Sequence, residues 1–283
     1  MDLNTTERIV INLQEYDVKR GLSFGHYRYN EVKPGLESHQ HQGALEICYC
    51  MKGLQHYKIG DNMYELKGDD IIVVPPNTVH STGEYPEDKG ELFWIQILIN
   101  PSHGKLCNLP NLHSEFLLKE LLERSEYIFK GAFQLKLILE RLVLLFKKED
   151  SILTRIMVNQ LITELLLETV LLSQKKMQLS PSKKINILNS YIVQNLHRII
   201  YVDELAEIVS MSTGYFKAWF KEKTGMPPKE YVNRLKIEQA KVDLQNSNSI
   251  TKVAFDLGFS SSQYFATTFK KFTGYTPSSF INS

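Results

Sequence analysis

A chain of 283 residues, 43% hydrophobic and 23% charged, is long enough for two ordinary domains with real cores, and its composition excludes a disordered or membrane-like polymer. The formal charge of +1 says little until the chain is divided. From Pro181 onward 13 Lys/Arg stand against 8 Asp/Glu, so the basic excess sits at the C-terminal end, where a polyanion could use it.

Residues 1–20 mix charges with short apolar pieces and show no signal-peptide core. From about Leu22 to Ile99, short aromatic and β-branched runs predict strands at residues 24–29, 46–51, 56–59, 71–74 and 92–99. Turn signals punctuate them at Lys52-Gly53, Gly60-Asp61-Asn62, Gly68-Asp69-Asp70 and Pro75-Pro76-Asn77. Many short strands at such spacing point to an antiparallel barrel or sandwich. Trp94 and Gln96 alternate on one strand and should share a face, with an aromatic plane beside a hydrogen-bonding amide, as a sugar requires. The alternative for Trp94 is a plain core aromatic. Arg28, on the early strand, is a charged donor for an effector or else a surface residue.

From His113 to Gln174 the period becomes helical. Stripes run through Phe116, Leu117, Leu121 and Leu122, through Leu135, Ile138, Leu139, Leu142 and Leu145, and through Ile156, Leu161, Leu165 and Leu172. They suffice to cover the barrel; the apolar surface left over suits a homodimer, the alternative being that every Leu is intramolecular core. The most apolar run, residues 161–172, is broken by Thr163, Glu164, Glu168 and Thr169, so a packed helix is expected rather than a membrane span. Cys48, Cys50 and Cys107 form no Cys-x-x-Cys pair and read as reduced thiols in the cytoplasm. The polar, basic stretch 174–184, with its Ser-Pro, reads as a linker.

The remainder contains a duplication. Tyr215-Phe216-Lys217-Ala218-Trp219-Phe220-Lys221 returns 49 residues later as Tyr264-Phe265-Ala266-Thr267-Thr268-Phe269-Lys270. Thr224-Gly225 returns as Thr273-Gly274, and Pro228 as Pro277. Each copy follows a short helix, over residues 203–209 or 251–257, with an inward Ala206 or Ala254 and then a turn. A short helix, a tight turn and a second helix opening on a Ser N-cap make a helix-turn-helix. Phe216, Phe220, Phe265 and Phe269 should face the core. That leaves Ser212, Thr213, Gly214, Lys217, Ala218 and Lys221 outward, matched by Ser261, Ser262, Gln263, Ala266, Thr267, Lys270 and Lys271. In a major groove, Gln suits adenine, Lys suits guanine, and Ala or Thr meets the thymine methyl. Lys221, Lys270 and Lys271 suit phosphate.

These residues resemble the C-terminal domain of AraC/XylS-type transcriptional regulators over residues 199–280. The resemblance rests on Glu204-Leu205-Ala206, Phe220-Lys221-Glu222-Lys223-Thr224-Gly225, Pro228-x-x-Tyr231 and Arg234-Leu235-x-x-Glu238-x-Ala240. It continues through Val253-Ala254-x-x-x-Gly258-Phe259 and Tyr264-Phe265-x-x-x-Phe269-Lys270-Lys271-Phe272-x-Gly274-x-x-Pro277. Two departures stand out: Tyr201 replaces the usual Ser or Thr cap, and Gly214 and Ala218 replace larger readers. The resemblance implies a long central helix over residues 228–246 that sets the two units about 34 Å apart, so both reading helices enter successive major grooves. It further implies a sugar or similar effector, RNA polymerase as a partner and activation of catabolic genes.

His39-x-His41-x4-Glu46-x6-Gly53 and Pro75-x-Asn77-x2-His80 resemble the two cupin motifs, whose His, His, Glu and His point inward. Three imidazoles and a carboxylate would suit Zn, Fe or Ni. The preferred reading is an effector pocket lined by Arg28, His39, His41, Glu46, His80, Trp94 and Gln96, with no metal and no other cofactor. A metal-binding sensor or cupin enzyme is the alternative, and a ligand-independent DNA binder is a third. Phosphate loops, catalytic triads and paired-carboxylate signatures are missing from the sequence, so no catalytic activity is expected. The expected fold class is α+β. A cupin-like antiparallel jelly-roll barrel spans residues 1–112 and packing helices 113–173. A linker over 174–184 leads to an all-α DNA-binding domain with two helix-turn-helix units over 185–283.

Overall fold

The computed structural model describes residues 7–123, 127–174, 183–246 and 249–281. Residues 175–182, the body of the expected linker, lie outside them. The chain forms two compact units, one within residues 1–29, 36–83 and 90–177, the other within 30–35, 84–89 and 178–283.

The first unit holds β1 (Arg8–Asn12), β2 (Gly21–Tyr29), β3 (Ala44–Ile59), β4 (Asn62–Lys67), β5 (Asp70–Val74), β6 (His80–Ser81), β7 (Gly90–Leu98) and β8 (Ile128–Lys130). Every pairing between these strands is antiparallel, in the order β1-β2-β7-β3-β5-β8, with β4 and β6 on the second half of β3. Helix α1 (Asn111–Leu122) precedes β8, and α2 (Phe133–Phe146) and α3 (Ile152–Gln174) follow it.

Lys52-Gly53, expected to end a strand, does not. Strand β3 runs straight through, because Gly53 takes φ +98° and the register against β7 slips between Cys50 and Lys52. Opposite lies Gly90, at φ +151°, where a Cβ would come within 2.1 Å of the Lys52 carbonyl oxygen. Two glycines thus let one long strand bend from one set of partners to the next.

Alternation along the strands sorts the side chains. Tyr27, Tyr29, Cys48, Cys50, Leu92 and Trp94 cluster on one face of the sheet. Phe24, Leu45, Ile47, Tyr49, Phe93, Ile95 and Ile97 lie on the other, under the helices. All five expected residues of α2, Leu135, Ile138, Leu139, Leu142 and Leu145, are buried there. Two expected core residues are not: Phe116 and Ile156 are exposed. On α1 the buried stripe runs through Leu117, Leu118 and Leu121, so the helix is rotated slightly from the expected setting. Helix α3 is long and apolar enough to cross a membrane by length and composition, but half of that window is buried within the protein.

The second unit contains α4 (Lys183–Gln194), α5 (Val202–Ile208), α6 (Thr213–Thr224), α7 (Pro228–Asn246), α8 (Ile250–Asp256), α9 (Ser262–Thr273) and α10 (Pro277–Ile281). The duplication is reproduced in the caps at both ends of α6 and α9. Ser212 and Ser261 accept from the amides of Tyr215 and Tyr264 at 3.4 and 3.1 Å. Gly225 and Gly274 close the helices at φ +80° and +82°. The Thr224 and Thr273 hydroxyls donate to the Phe220 and Phe269 carbonyls at 2.8 and 2.9 Å. Upstream, however, the repeat is one residue shorter. The left-handed residues of the two turns are Ser210 and Gly258, and Ser260 is an insertion in the second turn. The 48-residue separation of Ala206 from Ala254 already carried that signal.

Candidate nucleic-acid interface and sensor site

Two separate cores hold the reading helices. Phe216 and Phe220 pack with Leu188, Ile192, Leu205, Ala206, Val209 and Val232. Phe265, Phe269 and Phe272 pack with Ile237, Ala240, Leu244, Val253, Ala254 and Leu257. Burying one phenylalanine face of each helix fixes which residues look outward. On α6, Ser212, Gly214, Lys217, Ala218 and Lys221 are exposed and Thr213 is partly exposed. On α9, Gln263, Thr267, Lys270 and Lys271 are exposed, with Ser261, Ser262 and Ala266 partly so.

Local bonds shape what these faces present. The Thr267 hydroxyl donates back to the Gln263 carbonyl at 3.0 Å, which ties up its proton. Sequence reasoning passed over Tyr215 and Tyr264, large exposed aromatics beside the N-caps of both helices. The Tyr264 hydroxyl accepts from Asn233 Nδ2 at 3.1 Å. Their repetition at the same place in both copies was the available signal. Tyr201, the unusual cap, makes no side-chain cap bond, and Glu204 Oε2 instead accepts from the Tyr201 amide at 3.3 Å. Arg198 pairs with the same carboxylate and holds Glu204 down at about 2.

In the first unit, the structure brings six of the seven expected effector residues to one face of the sheet. His39 and His41 do not lie on a regular strand. They sit on an extended segment joined to His80 by one bridge, with His39 N to His80 O at 3.1 Å and His80 N to His39 O at 2.9 Å. A turn at Gln42-Gly43 leads into β3 and Glu46. Asn77, in a left-handed conformation, accepts from the Gly43 amide and donates its own amide to the His41 carbonyl, both at 3.0 Å. The Pro75-x-Asn77-x2-His80 segment therefore positions His41 as well as His80.

The three imidazole rings lie with centroids 4.3 to 5.2 Å apart. His39 Nδ1 and His80 Nδ1 are bonded to the backbone carbonyls of Glu37 and Thr78 at 2.8 and 2.9 Å. Such bonds direct the other ring nitrogen toward the cluster. The buried His80 Nε2 faces Glu46 Oε1 at an ion-pair separation of 3.4 Å and makes no hydrogen bond among the described residues. Glu46 Oε2 is 3.0 Å from His41 Nε2 and accepts from Gln96 Nε2 at 2.8 Å. Gln96 is itself oriented by the Ser23 hydroxyl, which donates to its Oε1 at 2.8 Å. Burial alone would raise the Glu46 pKa, but the neighbouring imidazoles of His41 and His80 and the bond from Gln96 hold it well below the carboxylate range. Burial lowers His39, and at His80 the pull of Glu46 outweighs burial and raises it.

Trp94 lies on the same face of β7 as Gln96, with its indole pressed onto Gly25 and the Arg8 guanidinium 4.7 Å over the ring. Arg28 is not part of this assembly. Two-residue alternation from Tyr27 and Tyr29 sends it to the opposite face, where it pairs with Glu91 at 2.7 Å and stays largely exposed. Sequence reasoning missed Ser23, Arg8 and Cys48. Cys48 Sγ is 3.3 Å from Glu46 Oε1 and, two residues along the same strand, was the one of the three legible from spacing.

Comparison with known proteins gives two family matches. Residues 25–166, half of the chain, match the AraC-like ligand binding domain, and residues 205–283 match a helix-turn-helix domain. An uncharacterized HTH-type transcriptional regulator of Staphylococcus aureus is 28% identical over 239 residues, 83% of this chain but 31% of its own length. The chain thus spans about a third of the length of that relative. A regulator of the same description from Pseudoalteromonas carrageenovora is 40% identical over 90 residues, 32% of this chain and 54% of that protein. Among solved structures, an AraC-type DNA-binding protein of Chromobacterium violaceum is 26% identical, with a TM-score of 0.34, over 35% of this chain and 90% of its own.

Proposed function

Because the chain belongs to the AraC family of transcriptional regulators, we propose that it is an effector-responsive, sequence-specific regulator that activates carbohydrate-utilisation genes in the cytoplasm. Residues 185–283 bind double-stranded DNA, residues 1–112 take up a sugar, and residues 113–173 pack on the barrel and carry the homodimer contact. RNA polymerase is the target of activation, and the chain acts by binding rather than catalysis.

The observation that carries the DNA-binding reading is the pair of equivalently capped helices with their lysines and small polar residues outward. The sugar reading is supported by Trp94 on the same sheet face as Gln96 and Glu46. A sugar stacking on Trp94 would take the place of the Arg8 guanidinium on the ring. Exposed Leu137, Leu144 and Leu167 beside the buried stripes of α2 and α3 support the dimer.

Binding-site selection from random duplex with the full chain tests the first part, and a thermal-shift screen against sugars tests the second. A ligand at 100 times its dissociation constant adds about 2.7 kcal/mol. A Trp94→Ala variant that keeps the parent shift would move the pocket elsewhere.

The buried His80 Nε2, which makes no hydrogen bond among the described residues, favours a second reading of the same site, a divalent transition metal held by His39, His41, His80 and Glu46. The residues fit such an ion: the three imidazole ligand atoms lie within 4.8 Å of one another. Stoichiometric metal in the purified chain, lost in His80→Ala, would decide for it.

A further inference from the structure

Helix α7 serves both helix-turn-helix units: Val232 belongs to the first core, and Ile237, Ala240 and Leu244 to the second. Between Val232 and Ile237 the chain places Lys236, a buried lysine. Its Nζ donates to the Arg198 carbonyl at 2.7 Å and lies 3.4 Å from the Gly258 carbonyl. These acceptors belong to different parts of the repeat. Gly258 is the left-handed residue of the second turn. Arg198 precedes the first helix-turn-helix unit, and its guanidinium reaches Glu204 on the first short helix and the Tyr191 hydroxyl on α4. The two backbones meet directly, since a Cβ on Gly258 would fall 2.4 to 2.7 Å from the N, Cα and C atoms of Arg198.

We infer that Lys236 is a positioning residue that locks the first helix-turn-helix unit to the second, so that both reading helices meet DNA in a fixed rotational register. The inference rests on the DNA-binding reading above. A buried ammonium is a costly way to fill space, and an apolar side chain of similar volume would serve a core at least as well. What the ammonium adds is a directional bond to each of two segments, the Arg198 backbone and the second turn. Burial and the neighbouring Arg198 pull Lys236 down to about 8, in keeping with a cation solvated by few groups.

The test uses the full chain carrying Lys236→Met or Lys236→Gln and a duplex selected from a random pool by the parent. Three probes are compared: the selected duplex, the same duplex with either half scrambled, and versions with one to five base pairs inserted between the halves. Each inserted pair rotates one half against the other by roughly 34°. Fixed register makes binding of two half-sites far stronger than binding of one. The expected result for Lys236→Met is about a tenfold loss on the intact duplex, less than about twofold on the half-site duplexes, and a flatter spacing profile. Lys236→Gln, which keeps a donor, should lie between Lys236→Met and the parent. It also carries the comparison if the Met variant does not fold. Equal losses on intact and half-site duplexes, or a spacing profile like the parent's, would overturn the inference. Failure of the parent to select any duplex would instead overturn the DNA-binding reading itself.

Discussion

Gly25→Ala is the sharpest available probe of the sensor interior. A Cβ at Gly25 would fall 1.9 Å from Trp94 Cε2 and Cζ2 and 2.5 Å from Cδ2. Carbon contacts below about 3.5 Å are repulsive, so the indole must retreat by more than 1 Å or the strands must separate. Neither is easy, because Gly25 and Trp94 are paired in register on β2 and β7 and the Arg8 guanidinium lies over the ring. Overpacking of this kind costs about 1–3 kcal/mol, and the rigidity of the bicyclic ring argues for the upper half of that range. The chain has two tryptophans, and the other, Trp219, lies on α6 in the second unit. In a Trp219→Phe background, fluorescence reports on Trp94 alone. We expect Gly25→Ala to shift that emission and to lower the thermal midpoint of the first unit. An unchanged emission together with an unchanged midpoint would show that the indole does not rest on Gly25.

Three further outcomes follow from the same geometry. A Cβ at Gly214 meets nothing within 4 Å among the described residues, and its φ lies outside the left-handed range, so Gly214→Ala should stabilise α6 by about 0.5–1 kcal/mol in chemical unfolding. Glu46 has its pKa depressed in the fold, so its contribution is present above its ordinary value of 4.5 and is lost as pH falls through the folded value. The stability difference between the parent and Glu46→Gln should therefore shrink below pH 4.5, and a pH-independent difference would contradict the bonding described for this carboxylate. Gln263→Ala and Lys217→Ala should each relax one base preference by about 1–3 kcal/mol, whereas Lys270→Ala should weaken all duplexes alike, as read from selected-site profiles.

The reading helices were legible in the sequence because their periodicity is local. Phenylalanines four apart, a serine ahead of each helix and a glycine behind it specify the buried face and both ends without reference to the rest of the chain. The central helix that the family resemblance implied over residues 228–246 coincides with α7, which opens on Pro228. The His-x-His and Glu spacing was equally visible, and two-residue alternation placed Trp94 with Gln96. What the sequence did not reveal depended on pairing between distant segments. Whether Gly53 ends a strand or bends it is decided by Gly90 lying across from it on β7. Arg28 could be assigned to a face only once the register of β2 against β7 was known, because a shift of one residue exchanges the two faces. Phe116 and Leu118 lie on well-separated sides of α1, and only the packing of the helix against its neighbours decides that Leu118 is buried and Phe116 exposed. The bond from Lys236 to Arg198 spans 38 residues, and no local pattern distinguishes this lysine from one on a solvated face. Local propensities determine elements and their faces; contacts between distant segments determine which polar groups are buried, and so which of them the protein can use.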